Sequence, residues 1–85
     1  MMKKIVFENN KNIIGDGLRA QRLLCRLSQD NLAAKMQTLG VNMDQQMISK
    51  IERNARIVTD YELACFCRIL KVSAEELWQG KFKAE

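Results

Sequence analysis

Residues 28–53, SQDNLAAKMQTLGVNMDQQMISKIER, hold two short amphipathic stretches parted by Leu39-Gly40-Val41-Asn42. Ser28 is a good N-cap, and Leu32, Ala33, Met36 and Leu39 then repeat at helical spacing. The spacing predicts a helix over 29–38, stopped at Gly40, where positive φ is accessible without a Cβ clash. Asp44 is a second N-cap, and Met47, Ile48 and Ile51 mark the buried side of a shorter helix over 45–53. Asn54 can end that helix, since Asn enters the left-handed conformation more readily than most residues.

Working outward, Ile14, Leu18, Gln21 and Cys25 share a helical face, with Leu24 and Leu27 alongside it. They predict a first helix over 12–26, which also carries Arg19, Arg22 and Arg26 as a basic stripe. Downstream, Thr59-Asp-Tyr-Glu62 reads as a capping box that opens a helix through Leu63, Phe66, Cys67 and Leu70. Ala64, Cys65 and Ile69 make its other sides apolar, so this helix is expected to be buried on most faces. Ser73-Ala-Glu-Glu76 is another capping box, for a short fifth helix through Leu77 and Trp78. The chain has no proline and few glycines. The fold class expected is all-α, a compact five-helix domain over 13–78. Residues 1–12, with Ile5, Val6 and Phe7, read as a frayed or extended arm, and 79–85 as a polar tail.

Composition narrows the function classes. Eighty-five residues fit one domain, and 47% hydrophobic with 28% charged suits a folded soluble chain. No apolar run reaches the ~18 residues of a membrane span, and the first residues are too polar for a signal peptide. Fourteen Lys and Arg stand against ten Asp and Glu, a net charge of +4, which hints at an anionic partner. The excess lies in residues 1–42, with seven basic and three acidic groups. There is no histidine, so the commonest general acid–base group and metal ligand are both missing. Cys25, Cys65 and Cys67 lack metal or disulfide spacing and read as small buried apolar side chains. No enzyme activity, cofactor or metal is expected, and free thiols suit the cytoplasm.

Two short helices joined by a Gly-containing turn on a basic background form the helix-turn-helix pattern. The detail of Leu18-Arg19…Arg22…Leu27-Ser28-Gln29…Leu32-Ala33, Gly40-Val41 and Ile48-Ser49-Lys50-Ile51-Glu52-Arg53 resembles the phage-repressor family, Cro/cI or XRE. Thr59-Asp-Tyr-Glu-Leu63 and Ile69-Leu-Lys-Val-Ser73…Glu76-Leu77 resemble its fourth and fifth helices, so the likeness spans 14–78. The chain departs from the pattern between Ala33 and Ile48: Gly40 comes seven residues after Ala33, and Ile48 eight after Gly40. A lengthened second helix and turn accommodate both. Asn54 stands where Gly is usual, and Val58 where Pro is common.

The resemblance implies a lambda-repressor-like domain, a transcriptional repressor reading double-stranded DNA with the helix at 45–53. Gln45, Gln46, Ser49 and Lys50 would meet bases. A Gln amide accepts and donates together, matching adenine N7 and N6, while Lys50 can reach guanine or a phosphate. Gln29 at a helix N-terminus, with Arg53, Asn54 and Arg56 beyond the reading helix, would lie along phosphates. Arg22 and Glu52 would form a structural ion pair. Partners implied are an operator duplex and a second copy of the chain as a homodimer. An antitoxin on the same fold, holding a toxin or other protein partner, is the competing reading. Trp78 suits the core or a dimer contact equally, and Phe82 a mobile tail.

Overall fold

In a computed structural model, residues 9–78 are described, and they form α1 (Gly15–Leu24), α2 (Gln29–Thr38), α3 (Gln45–Glu52), α4 (Asp60–Leu70) and α5 (Ala74–Trp78). The expectations for Ile5–Phe7, Phe82 and the rest of 1–8 and 79–85 lie outside the described residues. The domain is all-α, as the periodicity predicts, and α2 begins and ends where the capping signals put it.

Local caps explain most of the boundaries. Ser28 Oγ accepts from Asn31 N at 3.0 Å, and Asn31 Oδ1 accepts from Ser28 N at 3.3 Å. Asp44 Oδ1 accepts from Met47 N at 2.8 Å. Thr59 and Glu62 exchange the two bonds of a capping box, and Ser73 and Glu76 do the same. At the other ends the chain turns left-handed, at Arg26 (φ 58°), Gly40 (86°), Asn54 (61°) and Lys71 (59°). Leu27, Val41 and Ala55 N–H groups then reach back to Arg22, Met36 and Lys50 carbonyls at 2.8–3.1 Å, closing α1, α2 and α3 in Schellman fashion.

α1 departs from its predicted span at both ends. It starts at Gly15, with Ile14 at the N-cap, and Asn12 stands outside the helix, its Oδ1 accepting from the N–H groups of Ile14 and Gly15 at 3.0 and 2.9 Å. It stops at Leu24 because Arg26 turns left-handed, so Leu24 and Cys25 are exposed rather than on the buried face. The basic stripe is also corrected: Arg22 is buried, Arg19 is exposed, and Arg26 lies beyond the helix.

Leu18, Leu32, Met36, Met43, Ile48, Ile51, Phe66 and Leu77 fill the centre, each fully buried. Burying one such side chain stabilises by roughly 1.5–3 kcal/mol. Met43 and Val41 show how the long α2–α3 connection is held: both side chains turn inward, and Gln37 Nε2 donates to Met43 O at 2.7 Å. α4 is less enclosed than its apolar sides suggest, burying Glu62, Phe66 and Leu70 while Tyr61, Ala64 and Arg68 face out. The cysteines are not buried either: Cys25 is exposed, and Cys65 and Cys67 are half-buried free thiols.

α1 meets its neighbours at backbone distance. A Cβ on Gly17 would lie 1.8 Å from Leu77 O, and one on Gly15 2.6 Å from Ile51 O. The two glycines let α1 seat directly on α5 and on the end of α3.

Candidate nucleic-acid interface

α3 divides into two faces. Ile48 and Ile51 are fully buried, and Glu52 nearly so. On the other side Gln45, Gln46, Ser49, Lys50 and Arg53 line one cleft of about 140 Å³. Asp44, by capping the helix from outside, leaves both glutamines in its first turn. The four side chains expected at base edges therefore sit together on the outward side of one short helix.

One of them is held from behind. Arg22 donates from Nε to Glu52 Oε2 at 2.6 Å and from NH2 to Oε1 at 3.1 Å, and its NH1 holds Leu27 O at 2.8 Å. Gln29 Nε2 donates to Glu52 Oε1 at 3.0 Å, and Gln45 Nε2 donates to Gln29 Oε1 at 2.6 Å. The chain of bonds runs from α1 through α3 and α2 back to the first residue of α3. It takes one N–H of the Gln45 amide, leaving its other N–H and its oxygen for a ligand. Charge-assisted bonds at the Glu52 end are the strong links of such a series.

The residues expected along phosphates divide differently. Arg53 is exposed, and its side chain makes no hydrogen bond or ion pair among the described residues. The other three side chains are engaged within the domain. Gln29 is the bridge just described. Asn54 Nδ2 donates to Asn12 O at 3.1 Å and to Asn12 Oδ1 at 3.0 Å. Arg56 makes a bidentate pair with Glu62, NH1 to Oε1 at 3.0 Å and NH2 to Oε2 at 3.1 Å, and also holds Ile57 O.

The Arg56–Glu62 pair was not foreseen. The Glu62 side chain is 4% exposed. Burial pushes its carboxyl up, but the Arg56 guanidinium and the Thr59 N–H outweigh that and hold it below the usual range. Arg56 is correspondingly raised, chiefly by its bond to Glu62. The available signal was Glu62 itself, a carboxylate at the third position of a capping box with an arginine six residues upstream. Burial also pushes the Cys67 thiol up, away from the reactive thiolate. Among the described residues no group of His, Cys, Asp and Glu could hold a metal ion. Nor is any helix there long and apolar enough to cross a membrane.

No curated protein and no solved structure matches the chain. A family model described as helix-turn-helix, of the XRE type and Cro/cI-like, matches residues 18–77. Those residues contain the whole of α2, α3 and α4, the Arg22–Glu52 pair and the cleft on α3. The chain belongs to this helix-turn-helix family, whose domains are DNA-binding and regulatory.

Proposed function

We propose that this protein is a sequence-specific regulator of transcription that lays α3 in the major groove of double-stranded DNA and represses by occupying an operator. The observation that carries the reading is the Gln45 amide, fixed through Gln29 to Glu52 at the outward end of α3. A free Gln side chain would lose rotamer entropy on meeting a base, whereas a held one has lost most of it already. The N–H and oxygen left to Gln45 suit adenine N7 and N6. Gln46, Ser49 and Lys50 extend the readout along the helix, and exposed Arg53 suits a phosphate.

The internal bonds of Gln29, Asn54 and Arg56 favour positioning for these three side chains: Gln29 aims Gln45, and the other two shape the loop after α3. One such helix covers few base pairs. A homodimer on two half-sites about 34–36 Å apart would supply the missing affinity. Occupancy of that kind blocks a promoter with no further domain.

Selection of duplexes from a random pool, followed by anisotropy on the winner, tests the reading. The expected result is an enriched, two-fold symmetric site whose affinity falls steeply with salt. Placing that site over a reporter promoter should lower expression. A pool that stays unenriched, with weak binding of all duplexes alike, would overturn the proposal.

A further inference from the structure

Lys11 stands before the first residue of the family match, Leu18, so the family assignment gives it no part in the interface. Its backbone is nevertheless fastened to the loop behind α3. Lys11 N donates to Asn54 O at 2.9 Å. Its neighbour Asn12 donates from Nδ2 to Ile51 O at 3.0 Å and to Arg56 O at 2.8 Å, and it accepts from Asn54. The segment ahead of α1 is thus laced onto the end of the outward-facing helix.

The Lys11 side chain lines a cleft of about 480 Å³ together with Lys50 and Arg56, beside Met47 and Ala55. Arg56 is neutralised by Glu62. Lys11 and Lys50 then remain as two ammonium groups without an ionic partner among the described residues, and no described carboxylate lines the cleft. Lys50 also lines the smaller cleft that carries Gln45, Gln46 and Ser49. The two depressions therefore meet at one side chain. A duplex whose base edges face Gln45 would bring a sugar–phosphate strand near Lys50, where the larger cleft adjoins the smaller one.

We infer that Lys11 is a phosphate-contact residue, which extends the DNA interface beyond the helix-turn-helix to the segment before α1. The inference rests on the reading of α3 as the groove-binding helix. A phosphodiester fits the site because the cleft is open, carries the positive charge of two lysines and is lined by no described carboxylate.

The test uses the full chain and two short duplexes, one selected from the random pool and one of random sequence, across about 50–200 mM salt. Wild type is compared with Lys11→Gln, Lys50→Gln and Lys35→Gln, the last on α2 in a different cleft, with Arg68. Lys11→Gln should lower the slope of log K against log salt by about 0.9 and weaken binding about eight-fold near ~0.1 M salt. The loss should be the same on both duplexes, and Lys35→Gln should change neither quantity. An unchanged slope in Lys11→Gln, with wild type still binding steeply, removes Lys11 from the interface and leaves the groove reading intact. Weakening confined to the selected duplex would also overturn it, by making Lys11 a base reader. A wild type that binds neither duplex would remove the inference together with the reading beneath it.

Discussion

Gln45, the first residue of α3, donates its amide N–H to the amide oxygen of Gln29, the first residue of α2, at 2.6 Å. The two helices of the motif are thereby joined at their N-termini as well as through the core. Side chains linked in this way act as a unit, so their deletions should not add. Gln45→Ala should cost about 1–3 kcal/mol of discrimination at one base pair. Gln29→Ala should lose part of the same discrimination without touching that base. The double variant should be little worse than Gln45→Ala alone. Binding of all four proteins to the selected duplex and its single-base variants measures this; strictly additive losses would contradict it.

The Arg22–Glu52 pair ties the stability of the domain to the proposed base readout through different atoms. Glu52→Ala leaves a buried guanidinium unpaired, at a cost of about 3–5 kcal/mol. For a domain of this size the melting temperature should fall by on the order of 20 °C. Replacing both partners, Arg22→Met with Glu52→Leu, should recover much of that stability. It should not recover base discrimination, because Gln29 would still lack its anchor. Thermal melts and binding on the same samples separate the two effects.

Acid should attack the Arg56–Glu62 pair. Glu62 has its carboxyl lowered in the folded chain, so its stabilisation is complete above the unfolded value of about 4.3. It is lost as pH falls from there through the lower folded value. Glu62→Gln should be less stable than wild type at neutral pH by about 2 kcal/mol, the scale of a charged hydrogen bond. The gap should close in acid. Denaturant midpoints for both proteins, followed downwards from pH 7, would show the two curves converging.

Gly17 admits no side chain, because the obstacle, Leu77 O at 1.8 Å, is backbone. Gly17→Ala must push α5 away from α1 or bend α1 itself, at about 3 kcal/mol. Trp78, next to Leu77, is the one tryptophan in the chain. Its emission should shift to the red in the variant as α5 moves off. Unchanged emission and stability would show that α1 and α5 do not touch in this way.

What the sequence made legible was local. Ser28, Asp44 and Thr59 bond to groups three residues on, so capping boxes and helical spacing read α2, α3 and α4 nearly residue for residue. The start of α1 was misplaced because Asn12 looks like any polar residue. Its amide is committed to carbonyls at Ile51 and Arg56, 39 and 44 residues away. The end of α1 was overrun because apolar spacing continues through Cys25 even though Arg26 has already left the helix. The outward face of α3 followed from which positions its buried residues leave open. Gln29 was placed at a helix start, but its link to Gln45 depends on how closely α2 and α3 approach, which neither segment encodes alone. Gly15 and Gly17 carried the same hidden information. Inside a helix they read as poor formers, and their purpose appears only once the opposing backbones are in place.

The left-handed closures have an evolutionary corollary. At Arg26, Asn54 and Lys71 a side chain occupies backbone space that glycine enters more easily, forgoing on the order of 1 kcal/mol at each. Asn54 offsets this with its amide bonds to Asn12, but among the described residues the side chains of Arg26 and Lys71 make no such bond. Those two turns are unspent reserves of robustness. A lineage of this protein could take glycine at either position and then tolerate a disruptive change on α3 without losing its fold.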